Sequence, residues 1–91
     1  MIYRLYIGAN NKTKQVEYDR AMALISSYFE GFTAYQSKGY WKGQAENSLI
    51  VEISTDSEQG SVITKLCGEL KTALQQQAIG LVVVNEGMKF I

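Results

Sequence analysis

The order of hydrophobic periodicities along the chain predicts an α+β fold. Three observations carry that expectation: four short stretches rich in β-formers, two amphipathic helical stretches between them, and the succession β-α-β-β-α-β in which they fall. This succession is the ferredoxin-like split arrangement. Right-handed crossovers then give a four-stranded antiparallel sheet in the order four, one, three, two, with both helices on one face and the other face open.

Each element has its own signal. Ile2 to Ile7 alternates, with Tyr3, Leu5 and Ile7 on one face and Ile2, Arg4 and Tyr6 on the other, as a first strand should. Gly8-Ala9-Asn10-Asn11-Lys12-Thr13 has the composition of a turn. Thr13 can cap a helix by accepting a bond from an early backbone N–H, although no capping box follows, because Val16 stands where a glutamate is needed. The first helix is expected from Lys14 to Glu30, with Ala21, Leu24, Ile25, Tyr28 and Phe29 on one face and Gly31 as a left-handed C-terminal cap. Phe32 to Gln36 reads as a second strand that runs through Ser37, Lys38 and Gly39 into the segment holding the single tryptophan.

Leu49 to Ser54 is the third strand, and Thr55-Asp56-Ser57-Glu58 supplies the turn and cap of a second helix. On that helix Ile63, Leu66, Cys67, Leu70 and Leu74 follow the i, i+3, i+4, i+7 rule, and burying each large one stabilises the fold by about 1.5–3 kcal/mol. Gln75-Gln76-Gln77 reads as a solvated helix end. Ile79 to Val84 is a fourth strand, apolar enough to be largely covered, and Glu86 to Ile91 a short tail.

Ninety-one residues make one domain, 1–91, and a chain of this size buries roughly 60–65 % of its unfolded surface. Nine basic and nine acidic side chains cancel, without a long run of either sign, so the electrostatic footprint of a duplex-binding protein is missing. Cys67 is the sole cysteine, which rules out an internal disulfide framework and fits a reducing compartment. There is no histidine, hence no zinc-type spacing and no imidazole for general base work. No cofactor or metal is expected. Met1 to Ile7 lacks the charged leader and long apolar core of an export signal, so the expectation is a soluble, cytoplasmic protein that does not bind membranes. Apolar and aromatic residues on the open sheet face, with Ile2, Arg4, Tyr6, Ile50 and Glu52 placed there, predict a homodimer or higher homo-oligomer built through that face or through strand-edge pairing.

The topology indicates where a site belongs. The end of strand one, the start of the first helix, the turn between strands two and three, the end of the second helix and the start of strand four meet at one end of this fold. Asn10, Asn11, Lys12 and Thr13 therefore fall beside Tyr40, Trp41, Lys42, Glu46 and Asn47, and these nine residues are the candidate ligand-binding set. Free N–H groups at a helix start, with Lys12 and Lys14, attract an anion such as phosphate. Tyr40 or Trp41 can stack on a base. Each feature also has a plainer role: the Gly-Asn-Asn segment as a turn, Trp41 as cover for a core edge or a subunit interface, Glu46 as a surface ion-pair partner of Lys42, and Cys67 as a small hydrophobe. No catalytic residue is assigned, although Glu46, Lys42 or Tyr40 could carry proton transfer in a pocket.

The linked pattern Gly31-Phe32-Thr33, Gly39-Tyr40-Trp41, Glu46-Asn47-Ser48 leading into Val51-Glu52-Ile53, then Leu70-Lys71 and Gln77-Ala78-Ile79 resembles a family of small uncharacterised proteins from bacteria and their phages, a domain of unknown function. The resemblance runs over nearly the whole chain. It departs at Ala78-Ile79, where the family usually has a small or valine-bearing turn, and in lacking the export signal of some members. It implies a phage or prophage accessory protein. The expected function is non-enzymatic sequestration of a nucleotide-derived signalling molecule, an anti-defence sponge. The alternative is an inhibitor or adaptor that docks on a host protein through the open sheet face or the Trp41 surface.

Overall fold

The structure, a computed structural model, describes residues 1–85 and residue 89. Its elements are β1 (Ile2–Gly8), α1 (Tyr18–Ser26), β2 (Thr33–Trp41), β3 (Gln44–Ser54), α2 (Gly60–Leu74) and β4 (Gly80–Val84). The four strands form one sheet in the order β2-β3-β1-β4, all neighbours antiparallel. This is the expected ferredoxin-like sheet read from its other edge.

The core follows from the alternation. Tyr3, Leu5 and Ile7 of β1 and Leu49, Val51 and Ile53 of β3 bury one sheet face against Ala21 and Ile25 of α1 and Ile63, Leu66, Leu70 and Leu74 of α2. Both helices lie on that face. The opposite face carries Arg4 beside its cross-strand partner Glu52, joined by an ion pair of 2.6 Å, and Tyr6 beside Ile50. Tyr3 does more than pack: its hydroxyl accepts the Gln59 N–H at 2.8 Å, while the Glu58 carboxylate accepts the Gly60 N–H, so the first turn of α2 is satisfied from β1 and from its own approach.

Several expectations need correction. The first helix spans Tyr18–Ser26 rather than Lys14 to Glu30. Asn10 and Gln15 close the preceding loop, with the Asn10 N–H donating to the Gln15 carbonyl and the Lys14 N–H to the Asn10 carbonyl, and Lys14 sits at φ 62°, a left-handed conformation that a helix cannot continue through. Thr13 is consequently no helix cap; its hydroxyl accepts the Gln15 N–H within that loop. Nor is Gly31 a left-handed cap, because the helix closes at Ser27, whose backbone N–H donates to the Ala23 and Leu24 carbonyls and whose hydroxyl donates to the Leu24 carbonyl.

The second and third strands are also longer than their apolar cores suggest. β2 and β3 pair without a break from Thr33↔Glu52 to Trp41↔Gln44, joined by the two-residue turn Lys42-Gly43 at φ 50° and 79°. Two successive positive φ values are the signature of the hairpin turn whose twist matches the strands. Since β1 reaches only Ser48, the pairs from Lys38↔Asn47 to Trp41↔Gln44 extend beyond it as a two-stranded ribbon. β4, finally, is not covered. It pairs only with β1, and Leu81, Val82 and Val83 are 42 %, 41 % and 46 % exposed among the described residues. The expected tail, apart from Lys89, lies outside the described residues.

Candidate functional site

The inner face of the sheet changes character where the core ends. Along β3 it carries Ile53, Val51 and Leu49, all fully buried, and then Asn47; on β2 the same face carries Gln36 and Lys38. Because α1 begins only at Tyr18, no helix covers these polar positions, and two adjoining hollows open there. The smaller, about 340 Å3, is lined by residues including Asn10, Asn11, Lys14, Lys38, Glu46, Asn47 and Gln76. The larger, about 620 Å3, is lined by Gln15, Val16, Tyr18, Gln36 and Ser48, among others, and shares Lys38 and Asn47 with the first.

Asn47 ties the two sides of the smaller cleft. Its Oδ1 accepts from Lys38 Nζ at 2.6 Å, and its Nδ2 donates to the Lys14 carbonyl at 3.1 Å, so one amide holds a cation on the hairpin and the strained backbone of the loop. At the rear, Gln76 Nε2 donates to the Ala9 carbonyl at 3.2 Å, and its Oε1 lies so near Gly8 that an added Cβ would approach to 3.3 Å. The end of α2 is therefore joined to the end of β1. Gln75 permits this by turning the chain with φ 54° directly after the helix.

The cleft thus collects pieces from the ends of β1 and α2, the loop before α1 and the base of the hairpin. Of the nine predicted residues it brings together Asn10, Asn11, Glu46 and Asn47. Lys12 and Thr13 do not line it, and their N–H groups both donate to Asn10 Oδ1, at 2.8 and 3.2 Å. Those amides are spoken for. The helix start expected to attract an anion is also displaced to Tyr18. Tyr40, Trp41 and Lys42 sit at the hairpin tip, away from both hollows, with Tyr40 73 % and Trp41 67 % exposed. Lys42 Nζ lies 5.8 Å from the Trp41 ring centroid, a cation–π distance, rather than beside Glu46.

Lys38 was not among the candidates from the sequence, and Gln76 was placed near this end only together with Gln75 and Gln77. Lys38 was read as part of the passage beyond the second strand, and only the cross-strand register with Asn47 reveals it; nothing in the sequence distinguishes Gln76 from its two neighbours. Electrostatically the cleft carries two lysines, Lys14 and Lys38, against the single carboxylate of Glu46. The displaced acidities lie elsewhere: Glu69 pushes Tyr28 up to about 12, burial raises the Cys67 thiol, and Glu52 raises Arg4. Among the described residues no three His, Cys, Asp or Glu side chains converge as a metal site would require, and no helix is long and apolar enough to cross a membrane.

No protein-family model matches the chain, and no curated protein does. Solved structures do. The periplasmic divalent cation tolerance protein CutA from Archaeoglobus fulgidus is similar at 17% identity, covering 98% of this chain and 89% of that one, with a TM-score of 0.51. A divalent cation tolerance protein from Thermus thermophilus is similar at 15% identity, 97% and 88% coverage and a TM-score of 0.52. A phage SAM lyase in its apo state gives 15% identity, 96% and 91% coverage and a TM-score of 0.57. At these identities the likeness is one of fold, and it extends over nearly the full length of each chain.

Proposed function

We propose that this chain is a small, non-enzymatic binding protein that captures a nucleotide-derived signalling molecule in the cleft at the base of its hairpin, as a cytoplasmic phage or prophage accessory protein acting as an anti-defence sponge. The observation that carries the reading is the Lys38–Asn47–Lys14 arrangement. Two cations and a set of amides border one hollow, Asn47 restrains one of the cations, and a sponge needs affinity alone. The lysines suit phosphate oxygens, and Asn10, Asn11 and Asn47 can supply hydrogen bonds to sugar or base. The likeness to a phage SAM lyase supports the phage setting by analogy of fold alone.

The same reading includes a homodimer or larger homo-oligomer. β4 is an edge strand with apolar side chains exposed on both faces and no charge along Gly80–Val84 to deter pairing with a second copy. Native mass spectrometry with cyclic and linear nucleotides tests both parts. An oligomer retaining a phosphate-containing mass is the expected result; a monomer at micromolar concentration overturns the assembly, and indifference to every nucleotide overturns the ligand. Conversion of a retained nucleotide would instead make the protein an enzyme. A second reading, an inhibitor or adaptor of a host protein, draws on the exposed Tyr40 and Trp41, which stand outside the cleft.

A further inference from the structure

The larger hollow beside the cleft has no part in the function just proposed. It exists because residues 14–17 run as loop where a longer helix would have covered β2, and this leaves Gln36 and Lys38 uncovered on the face that elsewhere forms the core. Its walls differ from those of the cleft. Val16 and Tyr18 give it an apolar and an aromatic side, Gln36 adds a primary amide, and Lys38 with Asn47 forms the boundary between the two hollows.

Resting on the nucleotide reading above, we infer that this recess takes the base of a single adenine nucleoside 5′-monophosphate whose phosphate lies in the adjoining cleft between Lys38 and Lys14. The amide of Gln36 offers one donor and one acceptor in a fixed fork, the pairing that matches adenine N6 and N7. A tyrosine ring at the wall provides a surface on which a base can stack. Lys38 stands where sugar gives way to phosphate, and its bond to Asn47 restrains it there before a ligand arrives. The smaller hollow, about 340 Å3, has room for a phosphate and part of a sugar, and the larger, about 620 Å3, for a base. The specificity of the site is thereby divided: charge in one half, base shape in the other.

The test is titration of the full isotopically labelled chain with AMP, ribose 5-phosphate, adenosine, inorganic phosphate and the larger cyclic and linear nucleotides, followed by backbone amide resonances. The expected result is AMP binding at least tenfold tighter than ribose 5-phosphate, with shifts at Val16, Tyr18 and Gln36 that ribose 5-phosphate does not produce. Gln36→Leu, at an exposed position that folding tolerates, should reduce the AMP advantage to less than about twofold while leaving ribose 5-phosphate unchanged. Equal binding of the two phosphates with shifts confined to Asn10, Asn11 and Lys14 would overturn the base recess and leave the anion cleft standing. Binding of larger nucleotides without AMP would also overturn it. Silence toward every nucleotide and toward phosphate would overturn both readings.

Discussion

The β2–β3 hairpin has a base and a tip, and the two differ in everything but sequence distance. At the base, Leu49 is fully buried, Asn47 is bonded to both Lys38 and the Lys14 carbonyl, and the loop before α1 closes over the strands. At the tip, Tyr40 and Trp41 are largely exposed, and Lys42 Nζ stands 5.8 Å from the Trp41 ring centroid. The tip holds the conspicuous residues. The base holds the tertiary contacts, because β1 and the α1 loop reach the hairpin only as far as Ser48 and Asn47. A restrained polar group is what a preformed site requires, whereas an exposed aromatic ribbon becomes useful only when something docks on it.

The largest effect should therefore separate the two ends. Leu49→Ala is expected to cost about 2–5 kcal/mol in urea unfolding, the range for a buried leucine that leaves a cavity. Trp41→Ala in the isolated chain should stay within about 0.5 kcal/mol of the parent, as exposed sites do. A cost at Trp41 comparable to that at Leu49 would mean that the tip is packed in an assembly, and its concentration dependence would show it.

Asn47 and its neighbour Glu46 give a finer division. Asn47→Ala removes the acceptor for Lys38 and the donor to Lys14, and should cost about 1 kcal/mol together with a loss of nucleotide binding. Glu46→Ala breaks no hydrogen bond or ion pair recorded among the described residues, and should leave stability unchanged within about 0.5 kcal/mol. Equal effects from the two would remove the special standing of the base.

What the sequence revealed follows the same line. Alternation in Ile2 to Ile7 and the heptad-like spacing of Ile63 to Leu74 were legible because burial on one face imposes a period, and the resulting sheet order is the observed one. The hairpin was not legible past its apolar part. Gln44 to Ser48 is strand without a hydrophobic pattern, and Lys42-Gly43 makes a turn more often written Asn-Gly. The end of the fold at which a cleft would form could be read from topology, and with it Asn10, Asn11, Glu46 and Asn47, but not how the two lysines come to line it. Lys38 depends on a register and Lys14 on a left-handed backbone, and neither property is written in residue type. β4 misled for the opposite reason, since an apolar run looks alike whether it is buried or left at an edge.

The turn itself offers a smaller, stabilising change. Lys42 adopts φ 50° at a position where asparagine is tolerated far better, so Lys42→Asn should add about 0.5 kcal/mol and raise Tm by about 2–4 °C. This gain should come without any change at the cleft. A parallel gain in ligand affinity would show that tip and base are coupled through the ribbon.

The smallest effect concerns the helices that back the base. Glu69 of α2 is the main influence on Tyr28, just beyond α1, and pushes its pKa up to about 12 from an ordinary 10.0. The folded chain then holds the phenol proton more tightly than the unfolded chain. Its contribution is complete below pH 10.0 and disappears as pH rises through about 12, so the Tm difference between the parent and Tyr28→Phe should be flat to pH 10.0 and shrink above it. Trp41, exposed at the far end of the ribbon, has no share in that helix contact, and Trp41→Ala should follow the parent across the same range. If Trp41→Ala instead reproduces the Tyr28→Phe profile, the tip is not independent of the helices, and the contrast between the two ends of the hairpin fails as an account of its stability.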